Sequence, residues 1–181
     1  MTAPPPTSEP IGVAVVGAGY RGPDPVRSFQ SSPAFRLRRL CDLDVARAER
    51  VLGACSTVQV SADLAEVPAD PDVHAVAIAT PAGAHLPVAT AALQAGKHVL
   101  VEKPLAAAHA EGRRLVDEAD RRGPALMGDP TYCCTPAVLR IRELQRAIDG
   151  VGDLAPQDLS ILDFVLAPGL AGLVEWWRSS R

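Results

Sequence analysis

The feature that most constrains this chain is the glycine-spaced loop Gly17-Ala18-Gly19-Tyr20-Arg21-Gly22, set directly after the apolar run 11–16. A short apolar run that ends in glycine reads as a strand buried on both faces. The three glycines have separate uses. Gly17 allows a tight turn, Gly19 lets the backbone come close to a ligand, and Gly22 permits close packing of helix on strand. Pro23 and Pro25 follow at once. Both fit a first helical turn, where backbone N–H groups lack helical partners anyway. A buried strand that turns sharply into a helix requires a sheet with helices lying over it.

The rest of the chain repeats that alternation. The spacing predicts strands at 35–41, 57–60, 73–79, 97–102 and 125–127. Helices are expected at 45–52, within 81–95 and at 106–122, closed by Gly53, Gly96 and Gly123-Pro124. Asp44 is placed to cap the second helix, and Ser61 to cap a brief helical turn. The alternation of the second strand is imperfect (Phe35, Leu37, Arg39 and Cys41 against Arg36, Arg38 and Leu40), so one face is expected to be partly open. Strands alternating with helices at this spacing imply right-handed βαβ units and a parallel sheet with helices on both faces, an α/β fold of Rossmann type. The pattern changes after Asp129-Pro130. Helices at 137–148, 158–166 and 170–178, with no convincing strand among them, make the last part mainly helical. The expected organisation is a disordered leader at 1–10, a Rossmann domain at 11–128, and a remnant of a second domain at 129–181.

Composition narrows the function classes. The net charge of −3 gives no attraction to nucleic acid or to an anionic membrane. Aromatic residues make up only 4% of the chain, which suits a tight α/β core better than a β-sandwich. Cys41, Cys55, Cys133 and Cys134 show no metal-ligand spacing and read as reduced thiols of a cytoplasmic protein. No apolar run approaches 18 residues, so no membrane span is expected. The proline-rich start lacks a basic segment and does not read as a signal peptide.

The loop 17–22 has the context a dinucleotide site requires: a strand before it, a helix after it, and the acidic Asp42 at the end of the second strand, 20 positions beyond Gly22. The helix N-terminus would face the phosphates, and Asp42 would accept hydrogen bonds from the adenosine ribose hydroxyls. A carboxylate there repels a 2′-phosphate, which favours NAD over NADP. Lys103, in Glu102-Lys103-Pro104, stands at the end of a later strand and points toward the same crevice. Together these features indicate redox chemistry at a hydroxyl or carbonyl carbon, with the lysine handling the proton. Alone, Lys103 would read as a surface lysine, and His85 as the start of a helix. His74, His98 and His109 read as structural or exposed, and Trp176 and Trp177 as cover for a short core.

These residues resemble the Gfo/Idh/MocA oxidoreductases, named for glucose–fructose oxidoreductase and inositol dehydrogenase. The resemblance covers residues 11 to about 166. It rests on the glycine loop with Pro23, on Cys41-Asp42-Leu43-Asp44, on Thr80-Pro81 with His85, on Gly96-Lys97-His98-Val99, on Glu102-Lys103-Pro104 and on Thr135-Pro136-Ala137-Val138. The stretch 153–162 is similar to the subgroup acting on nucleotide-linked sugars, such as UDP-N-acetylglucosamine-type 3-dehydrogenases. The resemblance implies that Gly17, Gly19, Tyr20, Arg21, Gly22 and Asp42 hold the cofactor. Thr80, Pro81 and His85 would line its nicotinamide end, and Glu102 would lie near the nicotinamide ribose. It further implies a cis Lys103–Pro104 bond, Lys103 at the reacting hydroxyl, and an Asp-x-x-x-His pair beside it. Asp153 matches the Asp, but Gln157 stands in place of the His.

That departure bears on activity. Glutamine can hydrogen-bond a substrate but cannot take its proton, and losing one acid/base group typically costs about 10²–10⁴-fold. The strands that in the family separate Gly150-Val151-Gly152 from Asp153 are also missing, as are those expected beyond Arg178, and Asp129-Pro130 replaces a common Gly-His. Two readings follow. One is an NAD-dependent oxidoreductase acting on a sugar or sugar nucleotide, with Lys103, Asp153 and Gln157 in the catalytic positions. The other is a catalytically impaired dinucleotide-binding remnant, or a module completed by a partner chain. Apolar surface left by the missing sheet predicts self-association, as a homo-oligomer, or low stability.

Overall fold

The computed structural model describes residues 9–53 and 57–129. The helices expected beyond 130, Asp153, Gln157, Cys55, Cys133, Cys134 and most of the leader lie outside the described residues.

Among the described residues six strands and five α-helices follow one another in alternation. They are β1 (Ile11–Val16), α1 (Pro23–Ser31), β2 (Phe35–Cys41), α2 (Val45–Leu52), β3 (Gln59–Ser61) and α3 (Glu66–Ala69), then β4 (Ala75–Ile78), α4 (His85–Gln94) entered through a 3₁₀ turn (Ala82–Ala84), β5 (His98–Val101), α5 (His109–Arg122) and β6 (Leu126–Gly128). The strands form one sheet in the order β3-β2-β1-β4-β5-β6, with every pairing parallel. The fold is therefore the expected Rossmann-type α/β sheet.

Side-chain alternation sends each strand's residues to two core layers. Val15, Leu40 and Ala77 meet Val26 of α1 and Ala48 of α2 on one face. Ala14, Val16, Val76, Ile78, Val99 and Val101 meet α3, α4 and α5 on the other through Val67, Val88, Leu93 and Leu115. Leu40, Leu93 and Leu115 are fully enclosed. Each such side chain contributes about 1.5–3 kcal/mol relative to an exposed one.

The irregular pattern of β2 has a cause other than an open face. The register of β2 against β1 slips between Val13 and Ala14: Val13 pairs with Leu37, but Ala14 pairs with Arg39. Arg38 is the extra residue of a β-bulge. The slip puts Leu37 and Leu40, three apart, into the same layer, while Cys41 joins the opposite one. It also aims Arg39 across to Asp70, at 2.6 Å, and Glu66, at 2.8 Å.

Most helix ends behave as their sequence dictates. Asp44 Oδ1 accepts the Arg47 N–H at 2.9 Å, and Gly123 ends α5 in the left-handed region at φ 92°. Two boundaries differ from expectation. Ser61 is the last residue of β3, and its Oγ accepts the Asp63 N–H at 3.0 Å, so it opens a turn rather than capping a helix. Helix α5 begins at His109, because Leu105 and Ala106 first run over the core as irregular chain. At the strands' starting ends His74 and His98 continue the ladder through their side chains. Their Nδ1 atoms accept the N–H groups of Gly12 and Ala125 at 3.0 and 2.9 Å.

Candidate functional site

The sheet order reverses direction between β1 and β4, since β2 and β3 lie to one side of β1 and β5 and β6 lie beyond β4. At such a switch point the loops leaving the carboxyl ends of the two strands part and open a crevice. Every sequence-expected residue among the described ones stands on a loop or helix start at that end. The glycine loop leaves β1, Asp42 follows β2, Thr80-Pro81 follows β4, and Glu102-Lys103-Pro104 follows β5. Backbone bonds hold these exits side by side: Gly17 N–H to Cys41 O at 2.8 Å, Ala79 N–H to Val16 O at 2.8 Å, and Glu102 N–H to Ile78 O at 2.9 Å.

The glycine loop is built for contact on one side and openness on the other. At Gly17, with φ +100°, an added Cβ would lie 2.8 Å from the Ala79 carbonyl and 2.9 Å from Thr80 N. At Gly22 it would lie 2.3 Å from Gly17 O. At Gly19 it would meet nothing within 4 Å. The N–H groups of Gly17 and Ala18 are taken by Cys41 O and Asp42 Oδ2, whereas those of 19–22 find no acceptor among the described residues. Pro23 and Pro25 bring no N–H groups to the first turn of α1. The hydrogen-bond donors for an anion therefore come from the loop more than from the helix. Tyr20 stands at the loop tip, 93% exposed, with the Arg21 guanidinium 5.5 Å from its ring centre.

Asp42 is 8% exposed and densely engaged. Its Oδ2 accepts the Ala18 N–H at 2.6 Å. Its Oδ1 accepts the Asp44 N–H at 2.8 Å and Nη2 of Arg47 at 2.6 Å. Burial by itself would push this carboxyl up. The donors from Ala18, Asp44 and Arg47 outweigh it and hold the group below the usual carboxylate range.

On the β4 side, Thr80 Oγ1 is buried with no hydrogen-bond partner among the described residues. A buried hydroxyl without a partner calls for one, a water or a ligand group. His85 is 1% exposed. Its Nε2 lies 2.8 Å from Thr80 O and its Nδ1 2.8 Å from Pro104 O. Its ring lies behind the wall, between the two loop carbonyls. The brace joins the exits of β4 and β5, the second of which carries Lys103. The Lys103–Pro104 bond is cis, and Lys103 is exposed. Contacts thus run without a break from Asp42 through Ala18, Gly17, Thr80 and His85 to Pro104.

This geometry fits a dinucleotide. The open side of Gly19, the donors of 19–22 and the orphan Thr80 hydroxyl are the features such a ligand would fill. Among the described residues no three His, Cys, Asp or Glu side chains are grouped to hold a metal ion, and no helix is long and apolar enough to cross a membrane.

Residues 11–129 match the model of the Gfo/Idh/MocA oxidoreductase family, NAD-binding Rossmann fold. The chain belongs to this family. It is 34% identical over 154 residues to inositol 2-dehydrogenase 1 of Saccharopolyspora erythraea, a match covering 79% of this chain and 43% of that protein. It is 32% identical over 118 residues to the NADP(+)-dependent scyllo-inositol 2-dehydrogenase IolW of Bacillus subtilis, covering 64% and 30%. The crystal structure of GenD2 from gentamicin A biosynthesis, in complex with NAD, superposes with a TM-score of 0.72 at 32% identity, over 83% of this chain and 44% of that one. This member of the Gfo/Idh/MocA family thus spans less than half the length of the relatives it matches. None of these three is named for a sugar nucleotide.

One residue of the site escaped the sequence reading. Arg47 lies in the first turn of α2, where the helix dipole disfavours a cation. A cation in that position signals an anionic partner close by, and the partner is Asp42, five residues earlier.

Proposed function

We propose that this chain is an NAD-dependent oxidoreductase that interconverts a hydroxyl and a ketone on a cyclitol, a sugar or, more narrowly, a sugar nucleotide. The observation that carries the reading is the convergence of the open glycine loop, Asp42, the orphan Thr80 hydroxyl and the Lys103 turn at one switch point of the sheet. Gly19 and the N–H groups of 19–22 bind the pyrophosphate, and Asp42 orients the adenosine ribose. Thr80 and Pro81 position the nicotinamide end, and Glu102 its ribose. When bound, the cofactor accepts or returns a hydride at the substrate carbon. Lys103 Nζ takes the hydroxyl proton in one direction and gives it back in the other. By the family resemblance Asp153 and Gln157 would take the other two catalytic roles, Gln157 by hydrogen bonding alone. The protein works in the cytoplasm and self-associates.

Gln157 favours a second reading, a dinucleotide-binding chain with slow or no turnover of its own, or one completed by a partner. One experiment separates the two. The purified protein is mixed with NAD and a panel of inositols, sugars and UDP- or dTDP-sugars, and the absorbance of reduced cofactor is followed. Turnover that falls about 10²–10⁴-fold in Lys103→Ala supports the first reading. Cofactor binding without turnover supports the second, and absence of NAD binding sinks both.

A further inference from the structure

The carboxylate of Asp42 favours NAD by its charge, yet it does not stand at the end of β2 as a free carboxylate. A carboxylate offers roughly four lone-pair sites. Ala18 N–H, Asp44 N–H and Arg47 Nη2 take three of them. A ribose diol presents two hydroxyls, and one acceptor site is left. The charge is also balanced, because the Arg47 guanidinium sits 2.6 Å from Oδ1. The Arg47 side chain is 44% exposed, and Nη2 is the guanidinium nitrogen that Asp42 engages, which leaves further N–H donors for an incoming group. Tyr20 and Leu43, 93% and 92% exposed, add no acidic group to this end of the crevice. Asp44 is the other carboxylate nearby, and its Oδ1 is held by the Arg47 N–H at 2.9 Å.

Resting on the dinucleotide reading above, we propose that Arg47 is a specificity-determining residue: paired with Asp42, it lets the site accept the 2′-phosphorylated cofactor alongside NAD. A 2′-phosphate brings close to two negative charges and three acceptor oxygens. Against a lone carboxylate it would be repelled. Against Asp42 and Arg47 it meets a charge-balanced pair, with Asp44 the further carboxylate, and a guanidinium whose planar set of donors suits phosphate. NAD binds the same site through the remaining acceptor of Oδ2, or by swinging Arg47 aside to free Oδ1.

The test is a fluorescence titration of the full chain with NADH and with NADPH, repeated for Arg47→Gln and Arg47→Lys, with circular dichroism to show that each is folded. The parent is expected to bind the two cofactors within about 10-fold of each other. Arg47→Gln should weaken NADPH by about 10-fold or more, the loss of one charge-assisted contact, while leaving NADH unchanged or tighter. Arg47→Lys, which keeps the charge, should retain most of the NADPH affinity. A parent that prefers NADH by about 100-fold or more, with a ratio that Arg47→Gln does not move, overturns the inference while leaving the dinucleotide reading intact. Folded protein that binds neither cofactor overturns both.

Discussion

Two glycines of one motif should fail in opposite ways. Consider Gly22→Ala and Gly19→Ala. At position 22 the new methyl would sit 2.3 Å from Gly17 O and 2.6 Å from the Ala18 Cα, both backbone atoms. To restore van der Waals contact the loop must move by about 1 Å, a case of overpacking that typically costs about 1–3 kcal/mol. It has little freedom to do so. Gly17 N–H is tied to Cys41 O at 2.8 Å and Ala18 N–H to Asp42 at 2.6 Å. A unit of this size should lose roughly 4–10 °C in melting temperature. At position 19 the methyl meets nothing within 4 Å, so stability should stay within about 1 kcal/mol of the parent. There the methyl occupies the side from which a pyrophosphate would reach the N–H groups of 19–22. Losing two charge-assisted hydrogen bonds of about 1.5 kcal/mol each weakens nucleotide binding by roughly 100-fold. Thermal unfolding followed by circular dichroism and an NADH titration read the two effects separately. Equal drops in melting temperature for the two variants, or Gly19→Ala binding as tightly as the parent, would refute the division of labour.

Two further outcomes follow from the site's supports. His85→Leu should cost about 1–3 kcal/mol, because a neutral ring donates its one N–H to either the Thr80 or the Pro104 carbonyl, and that acceptor is left without it. Amide exchange in the 102–108 turn should quicken more than exchange in β1, and equal protection of both would argue against the brace. Acid should destabilise the fold. Asp42 is held low by its donors against the opposing effect of burial, and Asp70 foremost by the Arg39 hydrogen bond, so both titrate lower in the folded state than unfolded. Their stabilisation is present above about pH 4, where unfolded carboxylates are ionised, and is lost as pH falls through the folded values. Urea melts across pH should show that decline, with a shallower slope in Asp42→Asn; stability already falling above about pH 6 would point to other groups.

The alternation of elements was legible because it is written in local terms. The glycine loop, the cap at Asp44 and the stop at Gly123 each act within a few residues of chain. The register of β2 was not legible, because the bulge is set by where Val13 and Ala14 lie in the neighbouring strand. Likewise, sequence placed His85 beside the site but could not show its ring spanning two loops, since Thr80 and Pro104 come together only once β4 and β5 pair. Asp42 was found by its distance from the glycines. Arg47 was not, although a cation in a first helical turn goes with an anion close by.

The bulge in β2 also says something about which changes of length the sheet will tolerate. Removing a residue from a strand normally turns every later side chain to the wrong face. Removing Arg38 would do the reverse. Val13 would still oppose Leu37 and Ala14 would still oppose Arg39, leaving Leu37, Arg39, Leu40 and Cys41 in plain alternation along an unbroken ladder. What would be lost is a surface ion pair with Asp72 at 3.3 Å, worth about 1 kcal/mol at most, and a buried Nε that has no partner among the described residues. Position 38 is thus a place in the middle of the sheet where the chain can be shortened by one residue and keep its core.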